Sequence, residues 1–84
     1  MIANNMANFL VRATNSVFTV DTNLEGVDDA REASSVGIRG ASQMVADEIA
    51  NGATAASVLL SVHDAADAAV SRYVITMSVS QLKP

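Results

Sequence analysis

Apolar and polar residues along this chain follow two different periods, and the places where the period changes mark its elements. From Ala7 to Thr14, Phe9, Val11 and Ala13 fall on one side and Leu10, Arg12 and Thr14 on the other, a period of two that predicts a strand. Asn15-Ser16 reads as a turn, and Val17 to Asp21 as a second strand closing a hairpin. Asp21-Thr22-Asn23 is expected to break the ladder, and Gly26 to permit a backbone conformation that other residues avoid.

From Asp28 to Ala50 the period lengthens to that of a helix. Stepping by about 100° per residue, Ala30, Ala33, Gly37, Gly40, Ala41, Met44, Val45 and Ile49 share one arc, with Ile38 at its margin. Glu32, Ser35, Arg39, Gln43 and Asp47 take the opposite side. Asp28 and Asp29 suit the start, because their carboxylates accept from free amides and complement the helix dipole. With Asp29 as the cap, Glu32 stands where a capping box requires it. Asn51-Gly52 predicts the stop, since both residues tolerate the left-handed conformation. At roughly 1.5 Å per residue such a helix is about 34 Å long, enough to cross a small sheet. Gly37 and Gly40 each cost on the order of 1 kcal/mol against Ala inside a helix. Their place on the apolar arc predicts a close approach of helix to sheet, with a small-residue contact to another subunit's helix as the other reading.

Period two then returns. Ser57 to His63 places Val58, Leu60 and Val62 on one side, Asp64 to Ala68 is a turn, and Val70 to Ser80 is the longest strand candidate. In that strand Tyr73, Ile75, Met77 and Val79 alternate with Arg72, Val74, Thr76 and Ser78. Half-polar alternation of this kind suits an antiparallel sheet with one covered and one open face. The expected architecture is therefore α+β, a four-stranded antiparallel sheet with one long helix packed on one face in the order ββαββ. Residues 1–6 are expected to be a frayed leader and residues 7–84 the single domain.

Composition narrows the functions open to such a fold. The chain has 84 residues, half of them apolar and 17% charged, with a net charge of −4. A chain of this size buries about 60–65% of its unfolded surface, and here much of the core is Ala and Val, so contacts with a partner have room to add stability. Five Lys and Arg spread along the chain form no cluster able to displace counterions, which argues against nucleic acid and against anionic membranes. The absence of cysteine excludes disulfides, thiolate nucleophiles and Cys-ligated zinc. The opening Met1-Ile2-Ala3-Asn4-Asn5-Met6 lacks the basic start and apolar run of a signal peptide, and a cytoplasmic location is expected.

Few residues offer chemistry. His63, the single histidine, precedes Asp64, which suggests a base oriented by a carboxylate. No serine sits in a Gly-x-Ser-x-Gly elbow, and a strand-end histidine beside a turn aspartate is the simpler reading. Asp21, Glu25, Asp28 and Asp29 cluster in sequence without the spacing of a twelve-residue calcium loop. No catalytic residue, metal or cofactor is expected. The better candidate is the open sheet face, which should carry Leu10, Arg12, Leu59, Ser61, His63, Arg72, Val74 and Thr76 as an interface for a second copy or for another protein. A homodimer would form through sheet faces or through edge strands. The alternative is a small-ligand or anion site at the helix N-terminus, on the amides from Val27 to Ala30.

The chain also resembles a family of small bacterial domains of unknown function, typical of soil and plant-associated bacteria. The likeness runs through Asn8-Phe9-Leu10-Val11, Asp21 with Gly26-Val27-Asp28, and the small positions Ala33, Gly37 and Gly40. It continues in Met44-Val45-Ala46-Asp47-Glu48-Ile49 and in Val58-Leu59-Leu60-Ser61-Val62-His63-Asp64. The family's first strand usually carries several aromatics where this chain has Phe9 alone, and its helix favours Ala where this chain has Gly37 and Gly40. The resemblance implies an opening strand, an acidic loop, an alanine-rich helix and a closing hairpin, and implies no activity or site.

Overall fold

A computed structural model of the chain describes residues 7–83; the expected leader at residues 1–6 lies outside them. The described chain is ββαββ: β1 Ala7–Thr14, β2 Thr19–Val27, α1 Ala30–Ala50, β3 Ala55–His63 and β4 Ala69–Ser78. The strands form one sheet in the order β2-β1-β3-β4, with every neighbouring pair antiparallel.

The first hairpin turns on an asparagine. Asn15 Oδ1 accepts from the amides of Val17 and Phe18 at 2.8 and 2.9 Å, and its own amide donates to the Phe18 carbonyl at 3.1 Å. The Asn15 side-chain amide also donates to Glu48 of α1 at 2.8 Å, tying the turn to the helix end. This four-residue turn delays β2 to Thr19, two residues later than the sequence suggests. β2 also runs on to Val27 instead of stopping at Asp21, because Asp21, Thr22 and Asn23 pair in register with Arg12, Val11 and Leu10. A bulge absorbs the irregularity: Glu25 and Gly26 stand opposite Asn8 alone. Gly26 takes φ +68°, a left-handed value that glycine adopts without a Cβ clash.

The helix starts and stops on local hydrogen bonds. Asp29 is the N-cap and accepts from the Glu32 amide at 2.9 Å, so Asp28 lies outside the helix. Glu32 reaches back to the Asp28 amide at 2.6 Å, one residue before the cap. At the other end Gly52 donates to the Ile49 carbonyl at 3.0 Å and Ala53 to that of Glu48 at 3.1 Å, the paired bonds of a Schellman motif with Gly52 at φ +113°.

The core lies between α1 and the helix-facing side of the two central strands. Phe9, Val11 and Ala13 of β1 meet Ala56, Val58, Leu60 and Val62 of β3 and Ala33, Ala41 and Val45 of α1. Gly37 permits this approach, since a Cβ there would stand 2.9 Å from Val11 Cγ1 and 3.2 Å from both methyls of Leu60. Gly40 does not share that role: it is exposed and a Cβ would meet nothing within 4 Å. The helix covers β3 and β4 more closely than β2. Between α1 and β2 this leaves an apolar groove of about 300 Å³, bordered by Val20, Leu24, Val36, Gly40 and Met44. β4 ends at Ser78 and not Ser80, and Tyr73 and Met77, though on the helix side, remain partly exposed at the sheet edge. No helix among the described residues is long and apolar enough to cross a membrane.

Candidate functional site

Strand parity decides what the open face carries. Since Val11, Leu60 and Val62 point into the core, their neighbours on each strand point away from α1. Register then sets these outward residues in rows across the sheet. One row is Asp21–Arg12–Ser61–Arg72. Beside it lies Thr19–Thr14–Leu59–Val74, and on its other side Asn23, Leu10 and His63. Thr76 stands opposite Ser57. All eight expected surface residues, Leu10, Arg12, Leu59, Ser61, His63, Arg72, Val74 and Thr76, are thus brought to one face. Asp21, Thr14, Thr19 and Asn23 join them; β2 register, which sequence alone did not supply, is what places Asp21 there.

The polar row is partly self-satisfied. Arg12 grips Asp21 with both ends of its guanidinium, Nε to Oδ1 at 2.8 Å and Nη2 to Oδ2 at 3.0 Å. This bidentate bond, aided by the charge of the partner, raises the Arg12 pKa and lowers that of Asp21. Among the described residues no ion pair engages Arg72. Arg72 borders a shallow depression of about 400 Å³ with Thr14, Leu59, Ser61 and Val74.

His63 has a different neighbour from the one expected. Asp64 is occupied in the β3–β4 turn, its Oδ1 accepting from Ala66 and Ala68 amides at 2.9 and 3.0 Å. The carboxylate facing His63 Nδ1 belongs to Asp67, at 3.5 Å, too long for a hydrogen bond. His63 Nε2 meets Ser61 Oγ at 2.8 Å. Serine, imidazole and carboxylate therefore stand in line, yet Nδ1 is enclosed without a partner. Asp67 holds a left-handed φ of +64°. The spacing that could have revealed it is the four-residue step from His63 across the turn.

At the helix N-terminus the amides of Asp28 and Glu32 already donate to the carboxylates of Glu32 and Asp29. At the expected site on Val27 to Ala30, an external anion would have to displace Glu32 from the Asp28 amide and would meet the carboxylates of Asp29 and Glu32 beside it. Among the described residues no three histidine or acidic side chains converge as a metal site; Asp21 is held by Arg12 and Asp29 by the helix start. No family model, curated protein or solved structure matches this chain.

Proposed function

We propose that this chain is a protein-contact module that presents the open face of its sheet to another polypeptide and carries out no chemistry of its own. The observation that carries the reading is the cross-strand pair Leu59–Val74, 61% and 60% exposed on the β3–β4 half of a face that no other element of the described chain covers. Burying the remaining apolar area of these two side chains contributes on the order of 1 kcal/mol each. Arg72, beside them and free of any ion pair among the described residues, adds the planar donor often found at interface anchors.

The test is retention of a binding partner from native extract by the full chain, comparing wild type with Leu59→Lys and Val74→Lys. Both variants lie on the surface and should keep the wild-type circular dichroism. Loss of the wild-type partner in both is expected; unchanged retention in both removes the open face from consideration. The Ser61–His63 pair separates this reading from an enzymatic one. If purified protein cleaves activated esters and Ser61→Ala abolishes that activity, the contact reading is wrong.

A further inference from the structure

The two edges of the sheet are built differently. β2 carries Asp21, Glu25 and the bulge at Gly26, devices that discourage another strand from adding on. β4 has its bulge only at its start and keeps unbroken register against β3 from Ser71 to Ser78. Over that stretch it has no proline, glycine, lysine or acid, and Arg72 is its single charge. Among the described residues the sheet ends at β4, so alternate amides and carbonyls of this strand point outward with no described strand to meet them. Exposed apolar side chains flank the edge on both faces, Leu59 and Val74 on one, Tyr73 and Met77 on the other.

We propose that two copies of this chain pair antiparallel through β4 about a twofold axis at Val74, joining their sheets into one. The net charge of −4 makes two copies repel wherever acidic surfaces meet, and β4 is the edge strand without an acid. Register follows from the side chains. With Val74 on the axis, Arg72 faces Thr76 of the second copy, which keeps the two guanidinium groups apart. The row Leu59–Val74 continues into its own image, closing an apolar stripe across the join. Moving the axis by one residue sets Val74 against Arg72 or Thr76 and breaks that stripe. A twofold normal to the sheet puts both helices on one side and both open faces on the other. The two readings share Val74 but are separable: edge pairing runs through the backbone of β4, whereas Leu59 lies on β3. Loss of a partner in Leu59→Lys with β4 pairing intact therefore bears on the open face alone.

Because the chain has no cysteine, introduced thiols report the pairing directly. Light scattering on the purified full chain should show a monomer–dimer equilibrium. Directly opposed residues have Cβ atoms about 4.5–5.5 Å apart, so Val74→Cys should oxidise to a covalent dimer. Ser71 and Met77 oppose each other on the helix side, and a mixture of Ser71→Cys and Met77→Cys chains should cross-link more than either alone. Stacking of open faces cannot bring those two positions together. A second readout on the unmodified chain is amide exchange, in which β4 protection should rise with protein concentration while β2 protection stays level. A monomer at every concentration overturns the proposal. So does a dimer that cross-links at Val74 but not in the mixed sample, or one whose β4 protection is independent of concentration.

Discussion

The two flanks of α1 meet the sheet in opposite ways. Over the central strands, Gly37 lets the helix backbone come down until a single added methyl would collide with Val11. Over β2, three residues further along, Gly40 stands beside open space above an apolar groove. The same residue type on one helix thus serves close packing at one position and leaves a gap at the other. Position around the helix, and not composition, decides which interactions hold the fold together.

The largest expected effect comes from testing that contrast with truncations. Leu60 is almost fully buried under Gly37, so Leu60→Ala should cost about 2–5 kcal/mol in denaturant unfolding. Val20, on the loose flank and partly exposed, should lose less than about 1 kcal/mol when cut to Ala. Equal losses would mean that the groove is closed in solution.

The glycines themselves give the next two predictions, with opposite signs. Gly37→Ala gains about 1 kcal/mol of helix propensity but drives a methyl to 2.9 Å from a short, branched valine and 3.2 Å from Leu60. Overpacking of this kind costs roughly 1–3 kcal/mol, and the net result should be a loss on the order of 1 kcal/mol. Gly40→Ala meets no atom and should raise the melting temperature, with a gain of about 0.5–1 kcal/mol. A loss at Gly40 would show that something unseen packs on that flank, and the groove would then be an occupied surface.

Sequence pattern reached the tight half of the molecule better than the loose half. β1 and β3 alternate cleanly because their inner residues are buried under α1, and β4 keeps the same period with only Ile75 packed against the core. Pattern alone stops β2 at Asp21, because Asp21, Thr22, Asn23 and Gly26 are turn-favouring residues. At an edge that the helix barely covers, such residues are accommodated, and the partner strand β1 supplies the pairing that local propensity withholds. Helix ends were readable at Asp29 and Asn51-Gly52 because caps are made by neighbours in sequence. The eight outward residues followed from strand parity alone. What parity could not supply was cross-strand and turn geometry: the Arg12–Asp21 pair and the approach of Asp67 to His63 depend on a bulge, a register and a left-handed residue.

The Arg12–Asp21 pair offers the smallest effect and the finest test of the comparison, because it ties the loosely covered β2 to β1 from the open side. Both groups are exposed, so the contribution is modest and salt-sensitive. Its sign is fixed by the shift: the folded Asp21 pKa lies below its unfolded value of about 3.9. The stabilisation is therefore fully present above the unfolded pKa and is lost as pH falls through the folded one. Wild type should exceed Asp21→Asn in stability near pH 6, and the two should converge as acid protonates the carboxylate. Side-chain NMR should place the Asp21 midpoint below the ordinary aspartate value, and the accompanying amide shifts should concentrate in β2 and spare β4. Titration that moved β4 as strongly as β2 would mean that the pair couples the whole sheet, and the division into a tight and a loose flank would fail on the open face.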